Sequence, residues 1–133
     1  MAIKRLDTVS VEINAKAKDV WAFIADVQNW QQFSDFSKNM EQVSDTEWVT
    51  HTEQGNIRLR TCFDEEHLTL DQIVYPNGDE QLIPYRIIPK GDSCELMMTN
   101  QQTASVSDAE YQDQMGWIQE ELNTVKRIME AKN

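Results

Sequence analysis

The feature that most constrains this chain is a stripe of apolar residues near its C-terminus. Tyr111, Met115, Ile118, Leu122, Val125 and Met129 step by four, three, four, three and four. That spacing places all six on one face of an α-helix. Ser107 and Glu110 stand three apart at its start, the pattern of a capping box. The spacing predicts one helix within Val106 to Lys132. About 24 helical residues span about 36 Å at 1.5 Å per residue. A helix that long, apolar along one stripe, needs a broad apolar surface to lie on.

That surface has to come from the middle of the chain, where the apolar period is two. The runs are Met40 to Val43, Glu47 to Glu53, Asn56 to Asp64, His67 to Tyr75, Glu80 to Ile88 and Ser93 to Gln102. Between them stand Ser44-Asp45, Gln54-Gly55, Glu65-Glu66, Pro76-Asn77-Gly78 and Pro89-Lys90-Gly91-Asp92. Each break holds turn-forming residues and is short enough for a hairpin, so the six runs predict an antiparallel meander. Upstream, Arg5 to Ile13 alternates as a further strand. Val20, Ile24 and Val27 then fall three and four apart, with Trp21 and Phe23 widening the face. A short second helical turn is expected to hold Trp30 and Phe33, with Phe36 in the loop beyond.

The 133 residues fit a single domain, 1–133, with no repeat, linker or low-complexity tract. Twenty-three acidic against twelve basic side chains give a net charge of −11. A field of that sign repels phosphate backbones and anionic lipid, so nucleic acid is not an expected partner. No apolar window is long enough to span a membrane. Met1 to Asp7 lacks the apolar segment of a signal peptide, so cytosol is the expected compartment. Cys62 and Cys94 fall inside apolar strand-like runs and read as buried thiols rather than a disulfide.

Residue types with chemical potential are scattered. His51 and His67 lie on different runs with no zinc-like spacing, so no metal and no cofactor is expected. Arg58 and Arg60 alternate with Ile57, Leu59 and Thr61, which turns both towards solvent if the apolar face is buried. Arg86, between Tyr85 and Ile87, poses the same choice. No nucleophile elbow or Gly-rich phosphate loop occurs among four glycines.

Two segments carry a family likeness. Val11-Glu12-Ile13-Asn14-Ala15, then Asp19-Val20-Trp21-Ala22-Phe23-Ile24-Ala25-Asp26 and Trp30, resembles the opening of the START/Bet v 1-like superfamily, also called SRPBCC or polyketide cyclase/dehydrase-like proteins. Trp117 to Leu122 and Val125 to Glu130 are similar to its closing helix. Ala17 stands where many members have a proline. The likeness implies an α+β helix-grip fold: a curved seven-stranded antiparallel sheet around a long C-terminal helix, with two short helices after the first strand. It also implies an internal cavity for a small hydrophobic molecule such as a lipid, quinone or polyketide. On that implication, joined to the helix stripe and strand phases, the expected cavity lining is Leu59, Phe63, Tyr85, Leu96, Met98, Met115, Ile118 and Leu122. Three functions stand open: binding of such a molecule, a protein-interaction module of co-chaperone type, and a cyclase- or hydrolase-like enzyme. Fold does not choose among them.

Overall fold

A computed structural model describes residues 2–53 and 55–132. The first strand, β1 (Ile3–Ile13), leads into helix α1 (Ala17–Ala25). Ala17 is the first helical residue, a position at which the missing N–H of a proline would cost nothing. Asp19 in the first turn favours the positive end of the helix dipole. The helix buries Ala17, Val20, Phe23 and Ile24. Two 3₁₀ segments follow, Val27–Gln32 and Asp35–Ser37. Asp26 caps the first by accepting from the Gln28 N–H at 3.1 Å, and the Trp30 indole donates back to the Ile24 carbonyl at 2.7 Å.

The strands are β2 (Met40–Gln42), β3 (Glu47–Thr52), β4 (Gly55–Asp64), β5 (Thr69–Val74), β6 (Gln81–Ile83), β7 (Tyr85–Lys90) and β8 (Ser93–Thr103). They form one antiparallel sheet in the order β1-β8-β7-β5-β4-β3-β2, with β6 paired to β5. The sheet has eight strands rather than seven because the run Glu80 to Ile88 divides at Pro84. Proline has no N–H for a ladder, and the Pro84 carbonyl accepts from Thr99 as the chain passes from β5 to β8. The run expected from His67 starts at Thr69 instead. The Asp64 carboxylate accepts from the His67 N–H, and Leu68 takes φ +56°, so the turn extends through both residues. The Gln54-Gly55 turn lies partly outside the described residues; Gly55 opens β4 at φ +115°.

Helix α2 (Asp108–Ala131) begins at Ser107, and the capping box is formed in both directions with Glu110. It buries Tyr111, Leu122, Val125 and Met129 and lies against β1 and β8. The Tyr111 hydroxyl bonds to Asp7 and to the Asn100 carbonyl, and Lys126 donates to the Glu12 carbonyl. Glu130 accepts from the Asn14 N–H at 2.8 Å, so both ends of the helix are tied to the N-terminal strand. Two apolar groups result. One joins α1, α2 and the sheet through Ile13, Val20, Ile24, Leu70, Leu96 and Val125. The other joins the first 3₁₀ segment to β3, β4 and β5 through Val27, Trp30, Trp48, Leu59 and Val74.

Cys94 is buried, but Cys62 is exposed and both thiols are free. Cys62 is in phase with Arg58 and Arg60 on the outward face of β4, which corrects its expected burial. Among the described residues no helix is long and apolar enough to cross a membrane.

Candidate functional site

The middle of the α2 stripe is incompletely covered. Tyr111 and Leu122 are buried, whereas Met115 and Ile118 between them are only half-buried. Beneath this stretch the helix faces the 3₁₀ segments across a gap, and a cavity of about 290 Å³ opens there. Its apolar wall is Trp30, Phe33, Ile57, Val74, Ile83, Met98 and Ile118. Its polar groups are Ser34, Gln72, Gln81, Asn100, Gln114, Tyr85 and Glu121. Phe36 and Trp117 stand at the mouth, 42% and 66% exposed. A wider outer cleft continues past them along Asp35, Lys38, His51 and Glu120. Phe33, Ser34, Phe36, Trp117 and Glu121 line both spaces, so the two are continuous.

Strand phase explains how these side chains arrive. On β8 the inward positions are Cys94, Leu96, Met98, Asn100 and Gln102, all buried. Gln72 shares its phase with Leu70 and Val74, and Gln81 shares its phase with Ile83 and Tyr85. On α2, Gln114, Ile118 and Glu121 follow one another at four and three residues and so run along one face. Asn100 donates towards the Gln114 amide oxygen at 3.3 Å and the Met115 sulfur at 3.7 Å, which fixes its amide at the chamber wall.

Two titratable groups share the chamber. Burial pushes the Glu121 carboxyl up to about 7, the neighbouring Asp35 charge adds to this, and the Ser34 hydroxyl opposes it. Burial likewise raises the Tyr85 phenol, the Glu121 charge adds to the shift, and a hydrogen bond with Gln72 acts the other way. At neutral pH the phenol is therefore protonated and the Glu121 carboxyl is divided between its two forms.

Of the eight residues expected to line a cavity, Tyr85, Met98 and Ile118 do so. Leu59, Leu96 and Leu122 are fully packed in the core, Phe63 packs between the two apolar groups, and Met115 lies beside Asn100. The polar lining, Glu121 above all, was not singled out from sequence. Its signal was there: a carboxylate next to Leu122 on the flank of an apolar stripe, and amides in the inward phase of three strands. His51 lies on the outer cleft and bonds to Asn56 and Glu41, which raise its pKa. Arg58 stacks on the Tyr75 ring at 4.4 Å, and Arg60 and Arg86 are exposed. Among the described residues no group of three or more His, Cys, Asp or Glu is placed to hold a metal ion.

A long helix gripped by a curved antiparallel sheet, with space left under the helix, defines the helix-grip class. The family model for polyketide cyclase/dehydrase and lipid transport proteins matches residues 13–115, and the chain belongs to that family. Among solved structures, the protein XoxI from Bacillus cereus superposes with a TM-score of 0.75 at 12% identity, over 93% of this chain and 94% of that one. A START superfamily protein from Mycobacterium smegmatis gives 0.68 at 16%, over 96% and 99%. The di-domain aromatase/cyclase StfQ of the steffimycin biosynthetic pathway gives 0.68 at 19%, over 93% of this chain and 44% of that one. At these identities the likeness is one of fold. Curated protein sequences give no match.

Proposed function

We propose that this protein binds a small, largely apolar molecule in the chamber beneath α2. The observation that carries the reading is the gap under Ile118, which is half-buried while Leu122, one turn further on, is buried. A solid core would bury Ile118 as well, because close packing supplies the dispersion contacts that an empty space forfeits. The chamber's volume is near the lower end of ligand pockets, and its lining is apolar with a few convergent polar groups, as such pockets are. The family's description, which includes lipid transport, supports the same reading. On this proposal Tyr85, Met98 and Ile118 contact the ligand, and Leu59, Phe63, Leu96, Met115 and Leu122 support the wall.

Native mass spectrometry of protein purified from cells tests it. The expected result is a bound species adding on the order of 150–400 Da, a range suited to a pocket of this size. The neutral probe 1-aminoanthracene is expected to bind saturably with a blue-shifted emission that the recovered molecule displaces. No bound species and no saturable probe signal would leave the cavity without a role.

A second reading, chemistry on the bound molecule, is supported by Tyr85 and Glu121 meeting at the same wall with pKa values moved from their ordinary range. StfQ, a di-domain aromatase/cyclase of similar fold, lends it a precedent. Incubating the recovered molecule with fresh protein separates the two readings: an unchanged mass and retention time indicates binding, and a new product indicates turnover.

A further inference from the structure

The chamber's charges are one-sided. Glu121 lines it, and among the described residues no lysine, arginine or histidine does. On the flanking strands, Arg58 is engaged on the Tyr75 ring, and Arg60 and Arg86 are exposed. Among the described residues no ion pair reaches Glu121, although the carboxylates of Glu12, Asp7, Asp108 and Glu130 all have a cation within 4 Å. A half-buried carboxylate without a counter-ion is a poor neighbour for a ligand carboxylate or phosphate and a good one for an ammonium group. The net charge of −11 adds a field of the same preference, drawing cations towards the surface.

Resting on the reading of the chamber as a binding site, we propose that its ligand is an apolar amine whose ammonium group pairs with Glu121, and that carboxylates and phosphates of equal apolar size are turned away. The aromatic wall of Trp30 and Phe33 takes the hydrocarbon. The amides of Gln72, Asn100 and Gln114 accept the remaining ammonium hydrogens through their oxygens. The other titratable groups facing Glu121's surroundings are Tyr85 on β7, Asp35 on the second 3₁₀ segment, and Lys38, His51, Glu53 and Glu120 along the outer cleft. Tyr85 is neutral throughout the working range, so the chamber's own change of charge between pH 5.5 and 8 is that of Glu121.

The test compares three ligands with one hydrocarbon body: 4-phenylbutylamine, 4-phenylbutanol and 4-phenylbutyrate. Affinities are read by displacement of 1-aminoanthracene and by calorimetry. At pH 8 the amine is expected to bind about tenfold or more tightly than the butyrate, with the alcohol between, as befits one charge-assisted hydrogen bond. The amine's advantage over the alcohol shrinks at pH 5.5, where Glu121 is protonated. Glu121→Gln removes that advantage at pH 8. His51→Gln keeps the pH dependence, because the histidine is on the outer cleft. Butyrate binding as tightly as the amine, or an amine preference that survives Glu121→Gln, overturns the proposal. Should that variant fail to fold, an amine-to-alcohol ratio in the wild type that does not change with pH overturns it equally. Alcohol binding without any preference among head groups defeats this inference alone, whereas failure of all three ligands defeats the binding reading with it.

Discussion

Glu121 is where local signals in the chain disagree. Its helical position puts it beside Ile118 and Leu122, and its side chain belongs in water. The fold resolves the conflict by raising its pKa to about 7 through burial. The unfolded value is near 4.5, so between those two values the folded state binds more protons than the unfolded one. Stability is therefore fully present below about pH 4.5 and is lost as pH rises through 7. Glu121→Gln removes the charge that is penalised. The variant is expected to match the wild type at pH 5 and to exceed it at pH 8 by on the order of 2 kcal/mol, discounted for partial solvent access. Urea midpoints at the two pH values check this; equal midpoints at pH 8 would show that the carboxylate is solvated. A second residue-scale outcome concerns the thiols. Cys62 is exposed, while Cys94 is fully buried with its pKa raised by that burial. A thiol-specific chromogenic reagent is expected to modify one cysteine promptly and the other only as the protein unfolds. Two fast equivalents would contradict the placement of Cys94. Both cysteines have apolar neighbours along the chain, and only strand phase, which Cys62 shares with Arg58 and Arg60, distinguishes them.

At the scale of elements, α2 was the most legible part of the chain because everything that specifies it is local. The stripe is a period, and the capping box is two residues three apart. Leu122 is near the middle of that stripe and 2% exposed. Leu122→Asp places an unpaired carboxylate in the core at a cost of several kcal/mol, against a total stability of roughly 5–15 kcal/mol. The variant is expected to be unfolded or to melt far below the wild type by circular dichroism. A midpoint within a few degrees of wild type would mean that the stripe is not the core. Ser107→Ala removes one half of the capping box and is expected to cost about 1 kcal/mol, measurable as a shift in the urea midpoint. The strands were less legible at their ends. Pro84 was visible as a residue that cannot donate, but a single proline in an alternating run reads equally as an edge position. Here it separates β6, which pairs with β5, from β7, which pairs with β8. The start of β5 depended on a side-chain bond from Asp64 to the His67 backbone, which competes with the ladder and leaves no trace in hydrophobic period.

At the scale of the molecule, the fold followed from period and family likeness, and the chamber did not follow from period at all. Helix stripe and strand phases say which faces are buried; they are the same for a solid core and a hollow one. What hollows this core is the distance between α2, held to β1 and β8 through Tyr111, Lys126 and Glu130, and the 3₁₀ segments held to β3–β5 through Trp30. Those ties span from 104 to 116 residues of sequence in the case of Asp7–Tyr111 and Asn14–Glu130, beyond any local pattern. The same global view decides how charge acts on stability. The ion pairs, such as Lys4–Asp108, Arg127–Glu120 and Lys126–Glu130, are exposed or half-exposed, and solvent screening leaves each of them weak. They act at contact distance. The excess of 23 acidic over 12 basic groups acts over the whole surface, at separations near and beyond the roughly 10 Å screening length of 0.1 M salt. Salt therefore weakens long-range repulsion more than it weakens contact pairs, and repulsion is the larger sum in a molecule of net charge −11. Raising sodium chloride from about 20 to about 500 mM at pH 7 is expected to raise the melting midpoint by roughly 3–6 °C, the equivalent of about 1 kcal/mol in a chain of this size. A midpoint that fell with salt would mean that the contact pairs outweigh the repulsion. The acidic surface would then have to be treated as a network of local attractions rather than as a field.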